Sequence, residues 1–198
     1  MLSAMRELVD KSTGYDVRLF FYAGHGAQIV GKNYLMPLDT ALDDERDVQR
    51  TAVNLNEFMD LLGQAKQGVN IIVLDACRDN PFGATQSLSA NGRRMKFRGI
   101  KLPGLATVDA PVGSFVAFAA APGQAADDGA AANYGVFTKN ILEHISTPDV
   151  TLEQLFKRVR SGVRKDTDGK QIPWDSSSLT GDFCFSPTAR GCGGGALR

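Results

Sequence analysis

The chain has 198 residues, 43% of them hydrophobic and 22% charged, which is enough for one well-packed core and too little for two. Lys+Arg and Asp+Glu balance at 22 each, so no overall field recruits nucleic acid or an anionic membrane surface, and neither is expected as a partner. Three cysteines, Cys77, Cys184 and Cys192, are too few for a disulfide framework and form no C-x-x-C pair, so reduced thiols are expected.

No apolar run approaches the roughly 18 to 20 residues of a membrane-spanning helix. The N-terminus MLSAMRELVD lacks a basic stretch followed by an apolar one, and a cytoplasmic chain with no export signal is expected.

In chain order, Leu2, Met5, Leu8 and Val9 stand at helical spacing, so residue 1 falls at the head of an amphipathic helix. VRLFFYA (17–23) is a short apolar run suited to a strand buried on both faces, and NYLMPLD (33–39) is a weaker strand ended by Pro37. NLNEFMDLLGQAKQ reads as a helix, with Asn54 and Glu57 spaced as a capping box. VNIIVLDA (69–76) and SFVAFAA (114–120) repeat the buried-strand pattern. VFTKNILEHI and TLEQLFKRVRSGV read as helices, and DFCF (182–185) as a closing strand. Strands alternating with helices predict an α/β layer structure around a largely parallel sheet. One domain is expected over 1–187. Within it lies a long basic loop at 83–111, and a flexible Gly-rich tail follows at 188–198.

Ligands of open α/β sheets gather at the carboxyl ends of the strands. His25, one of two histidines, follows the first buried strand in FFYAGHGAQ, and Cys77 ends another. A thiol is only a few per cent ionised at neutral pH, so an imidazole at the neighbouring strand end completes it as a nucleophile. Glycines on both sides of His25 let the backbone bend and leave room for substrate. The N–H groups of Gly26 and Cys77 are candidate oxyanion donors. Taken singly, a cysteine on an apolar strand is more often a core residue, so the weight lies on the joint placement. No G-x-G-x-x-G or P-loop opens a helix after a strand, which argues against a nucleotide-binding domain.

FFYAGHGAQ followed by NIIVLDACRDNPF resembles the caspase-like cysteine peptidases, above all the bacterial branch near metacaspases and paracaspases. The likeness runs on through NYLMPLD, SFVAFAAAPGQAADDG and IPWDSSSLTGDF. It implies a caspase-like three-layer sandwich, a mostly parallel central sheet with helices on both faces, here lacking the first strand or strands of the family. It makes His25 the base and Cys77 the nucleophile of a cysteine endopeptidase acting on protein or peptide substrates.

Where caspases carry Gln two residues before the nucleophile, this chain has Asp75, as metacaspase-like enzymes do, and those cut after Arg or Lys. Side chains two apart on a strand share a face, so Asp75 can line the pocket for that cation. Asp127, with Asp128 as its alternative, aligns loosely with further acidic pocket residues; a solvated loop carboxylate is the other reading. Trp174 either lines the groove or anchors its own segment. The loop NGRRMKFRGIK offers Arg93, Arg94, Lys96 and Arg98 as autoprocessing candidates, against the alternative of a solvated basic loop.

No metal or other cofactor is expected. Calcium activation enters only through the resemblance to metacaspases, and the carboxylates of LDDERD (42–47) lack the ligand spacing of a calcium loop. The lacking strands open a sheet edge where a separate N-terminal segment or a second copy could pair. The rival reading is a catalytically silent caspase-like interaction module.

Overall fold

The structure is a computed structural model. It describes residues 1–12, 14–38, 45–64, 68–76, 87–88, 94–95, 105–106, 108, 110–122, 126, 134–189 and 191–192. Its elements in chain order are α1 (Leu2–Lys11), β1 (Val17–Gly24), β2 (Gly26–Ile29), β3 (Lys32–Leu35), α2 (Glu45–Thr51), β4 (Val53–Asn54), α3 (Leu55–Gly63), β5 (Val69–Ala76), β6 (Ser87–Leu88), β7 (Arg94–Met95), β8 (Ser114–Phe118), α4 (Val136–His144), α5 (Leu152–Asp166) and β9 (Trp174–Ser177).

The central sheet has the order β1-β5-β8-β9. β1, β5 and β8 run parallel, and β9 pairs antiparallel with β8. β5 is buried along most of its length, and its side chains alternate between two cores. Ile72, Leu74 and Ala76 enter one core with Met5 of α1 and Phe58 and Leu62 of α3. Ile71 and Val73 enter the other with Phe137 of α4 and Phe156 and Val159 of α5. Helices on both faces of a mostly parallel sheet make the expected three-layer α/β sandwich. β2, β3 and β4 form a separate antiparallel sheet, packed through Ala27, Ile29, Tyr34 and Met36 against Val48 of α2.

A polar row crosses the parallel strands near their N-terminal ends. Arg18 stands opposite Asn70, and Asn70 opposite Ser114. All three are buried. The Arg18 guanidinium donates to Asn70 Oδ1 at 3.3 Å and to Ser12 Oγ at 2.9 Å, and Asn70 Nδ2 donates to Ser114 Oγ at 3.2 Å. A one-residue slip would break each of these bonds in an apolar surround, so the row pins the register of the sheet.

β1 is the outer strand of this sheet among the described residues, and Leu19 and Phe21 on it are each 47% exposed. The α4–α5 face covers β5 and β8 but leaves these two side chains open.

Four expectations need correction. DFCF is not a strand: the sheet is closed by β9 instead, whose WDSS sequence carries no apolar alternation because it is an edge strand with partly exposed residues. Phe183 and Phe185 pack edge to face, with ring centres 5.0 Å apart, against the α4–α5 core. The thiols of Cys184 and Cys192 are not reduced but joined in a disulfide, with Cα atoms 5.7 Å apart. The tail is accordingly not free from residue 188: Thr188 donates from its N–H and its hydroxyl to Asp149 at 2.7 and 2.6 Å, and Cys192 is stapled. The two Thr188 bonds hold the Asp149 carboxyl below its ordinary range. Finally, the Asn54–Glu57 pair is not a full capping box. Asn54 accepts from Asn56 N–H, but Glu57 meets the Asn54 side-chain amide rather than its backbone. The complete box is at Thr151 and Gln154, heading α5.

Two outcomes follow from this packing. α4 and α5 approach closely at Gly162, where a Cβ would fall on the Asn140 carboxamide, 2.9 Å from its Cγ. Gly162→Ala therefore overpacks the helix pair and lowers stability by about 1–3 kcal/mol, a loss of several degrees in a thermal melt. Alkylation of unfolded, unreduced protein followed by intact mass should add one label, on Cys77, and three after reduction; three labels without reductant would exclude the disulfide.

Candidate active site

The parallel ladder of β1 and β5 ends in the pair Gly24–Ala76. His25 is the next residue on one strand, and Cys77 the next on the other. His25 is described and its side chain is exposed at this carboxyl rim. Cys77 lies outside the described residues, as do Asp127 and Asp128. Ala76, the last described residue before Cys77, is 2% exposed.

The backbone of His25 is tightly held. Tyr22, two strand positions before Gly24, is 8% exposed and turns its hydroxyl toward the rim. Tyr22 Oη lies 2.7 Å from the His25 carbonyl and 3.0 Å from that of Met36, to either of which it can donate. It also accepts from Met36 N–H at 3.2 Å, and that N–H reaches the His25 carbonyl as well, at 3.0 Å. Burial pushes the Tyr22 hydroxyl up to about 12, so it stays protonated.

The glycines flanking His25 have tasks the sequence did not reveal. A Cβ on Gly24 would stand 2.7 Å from Tyr22 Oη and 2.9 Å from its Cζ, so Gly24 makes room for the tyrosine ring. A Cβ on Gly26 would meet Leu105 Cδ2 and Cγ at 2.8 Å, so Gly26 makes room for Leu105. The expectation that small neighbours leave space for substrate is corrected to this extent: both Cβ positions are filled from within the protein.

Gly26 stands opposite Leu35 on β3. The adjoining pair His25–Met36 is hydrogen-bonded, and pairs alternate along an antiparallel ladder. The Gly26 N–H therefore points away from β3. Leu105 itself is held by Asn33, 1% exposed, whose carboxamide pairs with the backbone of the next residue. Asn33 Nδ2 donates to Ala106 O at 3.2 Å, and Ala106 N–H donates to Asn33 Oδ1 at 2.7 Å. The later part of the 83–111 loop is thus strapped at Ala106 to the sheet that carries Gly26. Nothing in the sequence pattern marked Asn33, Tyr22 or Leu105 as parts of this rim; only the chain of contacts brings them together.

Asp75, the penultimate residue of β5, is half-buried. Alternation sends it to the α4 side of the sheet with Ile71 and Val73, and it accepts a short hydrogen bond from Thr138 Oγ1 in the first turn of α4. The positive end of that helix suits a carboxylate. Trp174 is 48% exposed at the head of β9, opposite Phe118 at the end of β8, so it sits at the same rim as His25. Its neighbour Asp175 turns to the other face and pairs with Arg160 of α5; burial pushes this carboxyl above its usual range against the pull of Arg160.

Of the basic-loop candidates, Arg94 lies in β7, which pairs with β6 as a two-stranded ribbon. Arg93, Lys96 and Arg98 fall outside the described residues. Among the described residues no group of three or more His, Cys, Asp or Glu gathers around a common point. Asp47 of the acidic run is paired with Arg50 at 2.6 Å, and Asp43 and Asp44 lie outside the described residues. A groove of about 500 Å³ between α1 and β1, lined by Leu8, Ser12, Tyr15, Arg18 and Leu19, opens at the opposite end of β1 from His25. No helix among the described residues is long and apolar enough to cross a membrane.

The sequence matches the family model of the caspase domain over residues 1–184. The fold is similar to the crystal structure of caspase-1 from Spodoptera frugiperda, with a TM-score of 0.61 over 94% of this chain and 70% of that one, at 16% identity. No curated protein matches the sequence. A domain model spanning nearly the whole chain, on a sandwich whose adjacent parallel strands β1 and β5 each end one residue before a histidine or a cysteine, assigns this chain to the caspase-domain family of cysteine peptidases.

Proposed function

We propose that the chain is a cysteine endopeptidase that cleaves after Arg or Lys, with Cys77 as nucleophile and His25 as base. The observation that carries the proposal is the ladder end Gly24–Ala76, one residue short of each partner. Strands in a sheet lie about 4.8 Å apart, a separation that side chains from adjacent ends can bridge.

In the proposed reaction His25 takes the thiol proton and the Cys77 sulfur attacks the carbonyl carbon before the scissile bond. The oxyanion so formed is stabilised by the outward N–H of Gly26 and by that of Cys77. As the carbon–nitrogen bond breaks, the imidazolium returns the proton to the leaving amine, and water then hydrolyses the thioester with His25 again as base. The chemistry draws on no cofactor. Assays with calcium and with a chelator are expected to agree.

The preference for a cation rests on Asp75, two residues before the nucleophile and steadied by Thr138. Asp127 would add a second carboxylate, and Trp174 a wall of the groove. Arg93, Arg94, Lys96 and Arg98 would be self-cleavage sites in an enzyme with this preference. The open edge of β1, with Leu19 and Phe21 exposed, would take a separate N-terminal segment or a second copy.

Small Arg and Lys amide reporters test the proposal. Cys77→Ala or His25→Ala should reduce turnover by at least ~10³-fold with the melting temperature kept. Folded wild-type protein that neither hydrolyses the reporters nor reacts at Cys77 with an Arg-ketone electrophile would instead be a silent interaction module. Asp75→Asn should lower kcat/KM for Arg and Lys reporters by about 30-fold, ~2 kcal/mol, and should not improve an Asp reporter to the same level; an unchanged preference for Arg over Asp would remove Asp75 from the pocket.

A further inference from the structure

We infer that Tyr22 is a positioning residue for His25, acting through the backbone rather than by touching substrate. This rests on the reading of His25 as the base.

The imidazole needs a fixed origin, because a base must come within about 2.6–3.2 Å of the proton it takes. His25 sits at an awkward place for that. It lies between the end of β1, in the large sheet, and the start of β2, in the small one, so the two sheets join through it. Glycines on both sides give the backbone there more freedom than any other residue would. Its side chain is exposed, so packing does not hold the ring.

The constraint comes from below. Tyr22 belongs to the large sheet, and its hydroxyl ends among three backbone groups: the carbonyl of His25, and the N–H and carbonyl of Met36, which follows β3 in the small sheet. One buried oxygen thus ties the histidine to both sheets at once. Gly24 is required for this, since any side chain there would collide with the tyrosine hydroxyl. The glycine before the histidine therefore admits a restraint and does not merely loosen the turn. A hydroxyl raised to about 12 remains a donor across the working range of the enzyme.

Tyr22→Phe keeps the ring and its packing and removes only the oxygen. The Met36 N–H to His25 carbonyl bond remains, so the fold should survive. The expected result is a fall in kcat of about tenfold or more for an Arg amide reporter, with KM within about twofold of wild type. Ser12→Ala is the control: it deletes a buried hydroxyl at the far end of β1, where Ser12 accepts from Arg18, and should lower stability without changing kcat. Equal effects of the two variants on kcat, or none from Tyr22→Phe, would overturn the inference.

A second readout does not need turnover. With only two histidines in the chain, the imidazole NMR signals of His25 and His144 can be told apart. Tyr22→Phe should shift or broaden those of His25 alone, because its ring samples more than one position. Unchanged His25 signals would overturn the positioning role even if activity fell. A wild-type protein without peptidase activity whose His25 signals still respond to Tyr22→Phe would overturn the catalytic reading of His25 and leave the restraint standing.

Discussion

The molecule depends on one row of polar side chains. Arg18, Asn70 and Ser114 lie side by side across β1, β5 and β8 and bind one another inside the protein. Apolar strands alone fix register poorly when both faces are buried, since Val, Ile, Leu and Phe can exchange places at modest cost. A buried guanidinium, a carboxamide and a hydroxyl cannot slide without losing their partners. With that row fixed at one end, the ladder must finish at Gly24 and Ala76 at the other. The histidine and the cysteine emerge together because Arg18 and Asn70, each seven positions before its partner on the same strand, are locked, with Ser114 holding β8 beside them.

The two faces of the sheet then divide the work. The α1–α3 side receives Tyr22, Leu74, Ala76 and Leu105 and supports the rim from beneath. The α4–α5 side receives Asp75 and Asp175, each answered by a group from the overlying helix, Thr138 for one and Arg160 for the other. Among the described residues these two carboxylates lie on one face near the rim, and the apolar support on the opposite one.

Much of this was legible in the sequence, because buried parallel strands and amphipathic helices write strong periodicities. β1, β5, β8, α1, α3, α4 and α5 all fall where the pattern of apolar residues put them. What the pattern hid were features made by tertiary contact. β9 is polar along its length and joins the sheet only because β8 offers it a free edge. The disulfide pairs cysteines eight positions apart, a spacing that matches no motif. The paired glycines around His25 drew notice for the right place but the wrong cause: Tyr22 and Leu105 fill the space they leave, and no local rule links residue 26 to residue 105. Asn33, buried in β3, reads in the sequence only as the first residue of the weak strand 33–39, with nothing to link it to residue 106.

The Asn33 strap bears on what a break in the chain would do. Ala106 is tied to β3, and β8 is hydrogen-bonded along its length to β5, so the chain from residue 106 onward is woven into strands that precede it. Scission between residues 89 and 104 would open the covalent backbone yet leave every ladder of the central sheet and both cores in place. The product would be two polypeptides sharing one folded body, parted only by denaturation.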